Sequence, residues 1–176
     1  MSKRDGPSRA HQWLAKAVGT WNVEGLYYVA GSDEPVEAKG IERVEMFGPY
    51  WRRGELELSV FGSPVRGCTC VGFDPVKQVF VGTWYDTSNP YLYAYQGRFD
   101  EQKQLLVLTG RNTDPSTGKP STYRSIEGFD LPDRRSLSLF VKAPGRKVIQ
   151  ILSYEYTRRG ERKAAKPGGG KRKRAK

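Results

Sequence analysis

The chain has 176 residues, enough for one domain of ordinary size and too few for two large ones. Its 30 lysines and arginines against 19 acids give a net charge of +11, the profile of a polyanion-binding protein. Two cysteines exclude a disulfide scaffold, and no apolar run approaches the roughly 20 residues that cross a bilayer, so the expectation is a soluble, cytoplasmic protein with no transmembrane segment.

Residues 1–8 are basic, lack the apolar stretch of a secretory signal, and are expected to be disordered. The folded domain is expected over 9–159. It opens with a short helix, Arg9 to Val18, with Ser8 as N-cap and Ala10, Trp13, Leu14, Ala17 and Val18 along one face. Segments of about eight to twelve residues follow, rich in Val, Tyr, Phe, Trp and Thr and broken by Gly, Pro, Asn and Asp, the pattern of an all-β meander. Ten strands are predicted: Thr20–Ala30, Val36–Phe47, Tyr50–Phe61, Val65–Phe73, Gln78–Asp86, Tyr91–Phe99, Gln104–Asn112, Pro120–Phe129, Arg135–Ala143 and Lys147–Arg158. Leu56, Leu58 and Val60 alternate with Glu55, Glu57 and Ser59, and Leu137, Leu139 and Val141 share a face, so each strand has a dry side and a wet one. Ten such strands twist too strongly for a flat open sheet, and closure removes both edges. The predicted fold is an up-and-down antiparallel barrel with the helix closing one end; a two-sheet sandwich fits the same pattern.

Residues 160–176, with Gly168-Gly169-Gly170 and Lys171-Arg172-Lys173-Arg174, hold no large apolar side chain and are expected to be a disordered tail. Divided by segment, the charge excess lies at the ends: basic and acidic residues balance between 10 and 157. The domain is therefore neutral, and charge says nothing about what its interior binds. The tail is the candidate polyanion contact, through Lys171, Arg172, Lys173 and Arg174, for nucleic acid or an anionic surface. A solvated extension that keeps the chain soluble explains the same run equally well.

Proton-transfer chemistry near neutral pH has one histidine, His11, to draw on. A structural role where helix meets barrel outweighs a haem or metal ligand there, so no cofactor, metal or catalytic residue is assigned. Cys68 and Cys70 share a strand face and read as two small core residues. Tyr91, Tyr93 and Tyr95 alternate on one strand, with Tyr27, Trp51, Trp84, Tyr123, Tyr154 and Tyr156 on others. Their hydroxyls either reach the barrel rim or line a cavity holding water or a ligand. Arg52 shares the inward face of Leu56 and needs an anion: either Glu42, or an acidic group on a ligand. Arg124, on the face of Ile126, is the second cation of this kind.

Gly19-x-Trp21 at the start of the first strand resembles the short signature of the calycins, which include lipocalins and fatty-acid-binding proteins. His11-x-Trp13-Leu14, Gly72-Phe73-Asp74-Pro75, Phe80-Val81-Gly82-Thr83-Trp84, Tyr95-x-Gly97, Asp114-Pro115, Gly118-Lys119, Tyr123-Arg124 and Tyr156-Thr157-Arg158 extend the likeness. Together they resemble an uncharacterised, mostly bacterial family of calycin-like barrels known as a domain of unknown function. The resemblance implies that Trp21 closes the base of the barrel with His11 and Trp13 beside it, and that Arg158 or Arg159 lies over Trp21. Gln96 stands where a glutamate is common in that family, and Tyr154-Glu155-Tyr156 replaces the Arg-x-Tyr with which fatty-acid-binding proteins hold a carboxylate. The expected function is a binding module for a small, largely apolar ligand, with or without an acidic group, held by Arg52, Trp84, Tyr93, Tyr95, Arg124 and Tyr154. The alternative is an interaction protein that works through its tail; an enzyme is the third choice.

Overall fold

A computed structural model describes residues 6–28 and 34–160. They form one short helix, α1 (Arg9–Ala15), and ten strands: β1 (Gly19–Tyr27), β2 (Val36–Phe47), β3 (Trp51–Val60), β4 (Ser63–Asp74), β5 (Val79–Asp86), β6 (Tyr93–Asp100), β7 (Leu105–Thr113), β8 (Pro120–Leu131), β9 (Arg134–Lys142) and β10 (Ile149–Arg158). Each strand pairs antiparallel with its neighbours in sequence, and β1 pairs with β10, so the sheet closes into a barrel and not a sandwich. No helix among the described residues is long and apolar enough to cross a membrane. Lys171, Arg172, Lys173 and Arg174 lie outside the described residues, as do 1–5.

Several turns use residues that tolerate a left-handed backbone, among them Gly48 (φ 63°), Gly62 (φ 72°) and Gly145 (φ 70°). Asp74 and Asp100 build two of the tight connections by accepting hydrogen bonds from the amides two and three residues on.

The helix stops three residues earlier than its apolar face suggests. After Ala15 the amides of Lys16, Ala17 and Val18 each bond three residues back, the tighter winding common at helix ends. The carbonyls left over at Lys16 and Val18 accept from the guanidinium of Arg158, at the end of β10. Chain start and chain end thus meet at one end of the barrel, hereafter the helix end.

Two clusters of buried residues pack inside the barrel. One gathers Trp21, Val23, Ala38, Leu56, Leu58, Tyr154 and Tyr156, and the other gathers Trp13, Leu14, Val71, Phe80, Leu106 and Leu108. Cys68 and Cys70 belong to neither. They point to the outer wall, where Cys68 lies opposite Glu55 and the exposed Tyr85, because β4 turns Gly67, Thr69 and Val71 inward.

Candidate functional site

At the helix end the aromatic residues are spent on packing. Trp21 is fully buried and donates from Nε1 to the Ala17 carbonyl at 2.7 Å. Its ring lies between two guanidinium groups, Arg158 at 4.1 Å and Arg135 at 4.9 Å from the ring centroid. Trp13 packs edge-on against Phe80 and Phe129. His11 accepts the Ser8 amide hydrogen at Nδ1 (3.0 Å), the part a glutamate usually plays in a capping box, with Tyr50 and Phe73 against its ring.

Further in, four buried charged side chains cross the lumen. Both terminal nitrogens of Arg52 donate to the two oxygens of Glu127 at 2.7 Å, a fork-on-fork pair. Arg52 is on β3 and Glu127 on β8, five strands away in a ring of ten, so the pair ties opposite walls together. Arg135, on β9, donates from Nη1 to the same carboxylate at 3.0 Å, and its Nη2 meets Glu42 on β2. The face of Arg135 lies 3.9 Å from the centroid of the Tyr156 ring. Burial, with Arg158 nearby, lowers the pKa of Arg135 to about 10, so it stays charged at neutral pH. Two cations and two anions cancel, and the desolvation each suffers is offset by its partners. Arg52 is therefore held by Glu127, a partner seventy-five residues away in sequence, and not by Glu42.

Beyond this ionic bar, toward the far end, the lining changes to tyrosine. Tyr27, Tyr93, Tyr95, Tyr123 and Tyr154 lie close enough to influence one another's ionisation, and the rings of Tyr93 and Tyr123 meet edge to face at 5.3 Å. Trp84 lies across Gly67 on the next strand, a place any Cβ would block, and its Nε1 donates to Asp86 at 2.8 Å. Tyr93, Tyr123 and Tyr154 are buried. Burial is the main cause of their raised pKa values and of Tyr95's; Asp86 or Asp114 adds to it for Tyr93, Tyr123 and Tyr154, and the neighbouring Tyr93 and Tyr123 add to it for Tyr95, so that Tyr93 and Tyr154 reach about 12 and Tyr95 and Tyr123 go higher still. All five phenols are neutral at physiological pH and can both donate and accept. Among the described residues only Tyr93 has a hydrogen-bonding side chain for its hydroxyl, Asn89.

Arg124 does not join this group. It is exposed on the outer wall, because β8 turns Tyr123, Ser125 and Glu127 inward, and the apolar Ile126 beside it faces out as well. Trp51, grouped by sequence with the interior aromatics, also faces out. Glu127 and Arg135 are the residues that sequence reasoning missed. The signal for Arg135 was present, since it has the parity of Leu137, Leu139 and Val141; Glu127 has that of Tyr123 and Phe129, obscured by Ile126. The two grooves measured on the molecule lie elsewhere: one of about 1400 Å³ around α1 at the helix end, and one of about 300 Å³ on the outer wall over β1 to β3.

Compared with known proteins, the chain matches along residues 6–158 the model of a family described as "Protein of unknown function (DUF1579)". No curated protein matches it. Among solved structures it is similar to the S-type phycobiliprotein lyase CPES from Guillardia theta, with 14% identity, a TM-score of 0.60, and coverage of 89% of this chain and 94% of that one. A designed barrel, EF1p2_mFAP2b bound to DFHBI, aligns at 16% identity over 87% of this chain and 99% of its own, with a TM-score of 0.45. At these identities the lyase supports the barrel fold alone.

Proposed function

The chain belongs to the DUF1579 family, whose name carries no activity, and from the geometry of its interior we propose that it is a binding module for a small ligand. The ligand is held in the far half of the barrel, against Trp84, Tyr93, Tyr95, Tyr123 and Tyr154. One observation carries this reading: the inward-facing phenols of Tyr27, Tyr95, Tyr123 and Tyr154 have no hydroxyl partner among the described residues and gather in one half of the lumen. These hydroxyls face open space, where a ligand that displaces water completes their hydrogen bonds. Ring faces supply the apolar contact and neutral hydroxyls supply orientation, the usual division of labour in small-molecule sites.

The ionic bar narrows the ligand class. Arg52 and Arg135 are both neutralised by glutamates, and Arg124 faces outward, so among the described residues the interior offers no spare cation for an acidic group. Asp86 and Asp114 add negative potential over the same tyrosines. The ligand is thus an uncharged, largely apolar molecule with hydrogen-bonding groups, and the expected acidic group is dropped from the proposal.

Native mass spectrometry of protein purified from its own cells tests this reading. The expected result is a mass excess that is lost on denaturation and is absent from a variant in which Ser121→Trp, on the inward face of β8 beside Tyr123, fills the far half of the lumen. A folded native protein that never carries a ligand would overturn it.

A further inference from the structure

The groove at the helix end has no part in small-ligand binding. β10 ends beside the start of β1, so described structure stops at residue 160 on the helix end, and it begins at residue 6, just before α1, on the same end. The sequence that continues from there, 161–176, holds eight basic residues and one acid.

That face is also where exposed aromatic side chains gather beside unpaired cations. The hairpin joining β2 to β3 carries Phe47, Tyr50 and Trp51, which are 69%, 37% and 41% exposed. Phe47 and Trp51 are cross-strand partners on the outer wall. The indole of Trp51 covers Gly72 on β4, where any Cβ would collide with it, so one ring face is fixed against the strand and the other is left outward. Tyr50 and Trp51 border the 1400 Å³ groove, together with Arg9, Lys16 and Arg98 and a single acid, Glu101. None of these three cations has an ion-pair partner among the described residues.

From this placement we propose that the helix end is a contact surface for single-stranded nucleic acid. Trp51 and Tyr50 stack on bases, while Arg9, Lys16 and Arg98 neutralise phosphates. A fixed aromatic face is a sequence-tolerant platform for any base, and a basic rim follows the backbone. A ring face held flat against the strand and open outward, beside cations spaced along the groove, matches stacked bases with their phosphates. This surface shares no residue with the tyrosine-lined half, so either proposal stands if the other fails.

The test is fluorescence anisotropy of labelled twelve-nucleotide oligo-dT and oligo-U with the full chain, alongside a duplex of equal length, heparin and phosphatidylserine vesicles. Trp51→Ala is expected to weaken single-strand binding about 5- to 10-fold while leaving heparin binding unchanged, and Trp51→Phe to restore most of it. The pair Lys16→Glu and Arg98→Glu is expected to weaken binding at least as much, with a shallower dependence on salt. Circular dichroism confirms that each variant is folded; Tyr50→Ala, on the turn, serves if Trp51→Ala is not. Equal loss on heparin and oligonucleotide, no loss from either aromatic variant, or binding to vesicles but not to oligonucleotides would overturn the proposal.

Discussion

The two halves of this barrel are built from similar residues and put them to different use. At the helix end the polar atoms of the large side chains are spent within the fold: Trp21 on the Ala17 carbonyl, His11 on the Ser8 amide, Arg158 on the carbonyls that end α1. In the far half four of the five tyrosines keep hydroxyls with no partner among the described residues. Between them runs the bar of Arg52, Glu127, Arg135 and Glu42. A close-packed end whose Trp21, His11 and Arg158 are bonded within the fold gives stability, and an end with unpartnered phenols leaves hydrogen bonds for something else to complete. The bar lets both exist in one lumen, since it ties opposite walls together where a continuous apolar core would otherwise have to.

Breaking the bar should have the largest effect. Glu127→Leu leaves Arg52 and Arg135 without their shared anion, and urea denaturation should register a loss of about 3–5 kcal/mol. A loss below about 1 kcal/mol would mean that the walls are held by packing alone. Next comes the packed end: Leu14→Ala, at a fully buried position, should cost about 2–4 kcal/mol by the same measurement. Far-half substitutions should separate stability from binding. Tyr154→Phe removes a hydroxyl that bonds to nothing described, so the urea midpoint should shift by less than the equivalent of about 1 kcal/mol. Ligand affinity, read by titration, should fall.

The smallest effect is on pH dependence. Burial raises the tyrosine pKa values above the ordinary 10, so the folded state keeps phenolic protons that the unfolded chain releases. Stability is then unaffected below pH 10 and falls as the pH rises from about 10 toward 12. Urea midpoints at pH 7, 9 and 11 should show almost no change across the first interval and a decline across the second. Replacing Tyr93 and Tyr154 with Phe should shrink that decline.

Most of the architecture was legible because it rests on local signals. Proline and glycine breaks placed the strands, whose observed ends lie mostly within two or three residues of the predicted ones. The helix end was harder to read, since Val18 continues the apolar face but Arg158, far along the chain, takes the carbonyls that end the helix. Parity was read correctly where a strand alternates cleanly, as for Arg52 with Leu56 and Leu58. It failed on β8, where Ile126 is apolar and faces out while Glu127 is charged and faces in. What no local pattern reveals is a partner across the lumen. Glu42 is a near neighbour of Arg52 in the β2–β3 hairpin, and choosing between it and Glu127 requires the closed ring of ten strands.

The most direct test of the division between the two halves is to titrate an uncharged solvatochromic dye, Nile red, into the wild type and two pairs of variants. If the far half is the binding site, Tyr93→Phe with Tyr154→Phe lowers dye affinity about tenfold, the loss of one or two hydrogen bonds, while Trp51→Ala with Arg98→Glu leaves it unchanged. Affinity that follows the helix-end pair and ignores the tyrosines would contradict it.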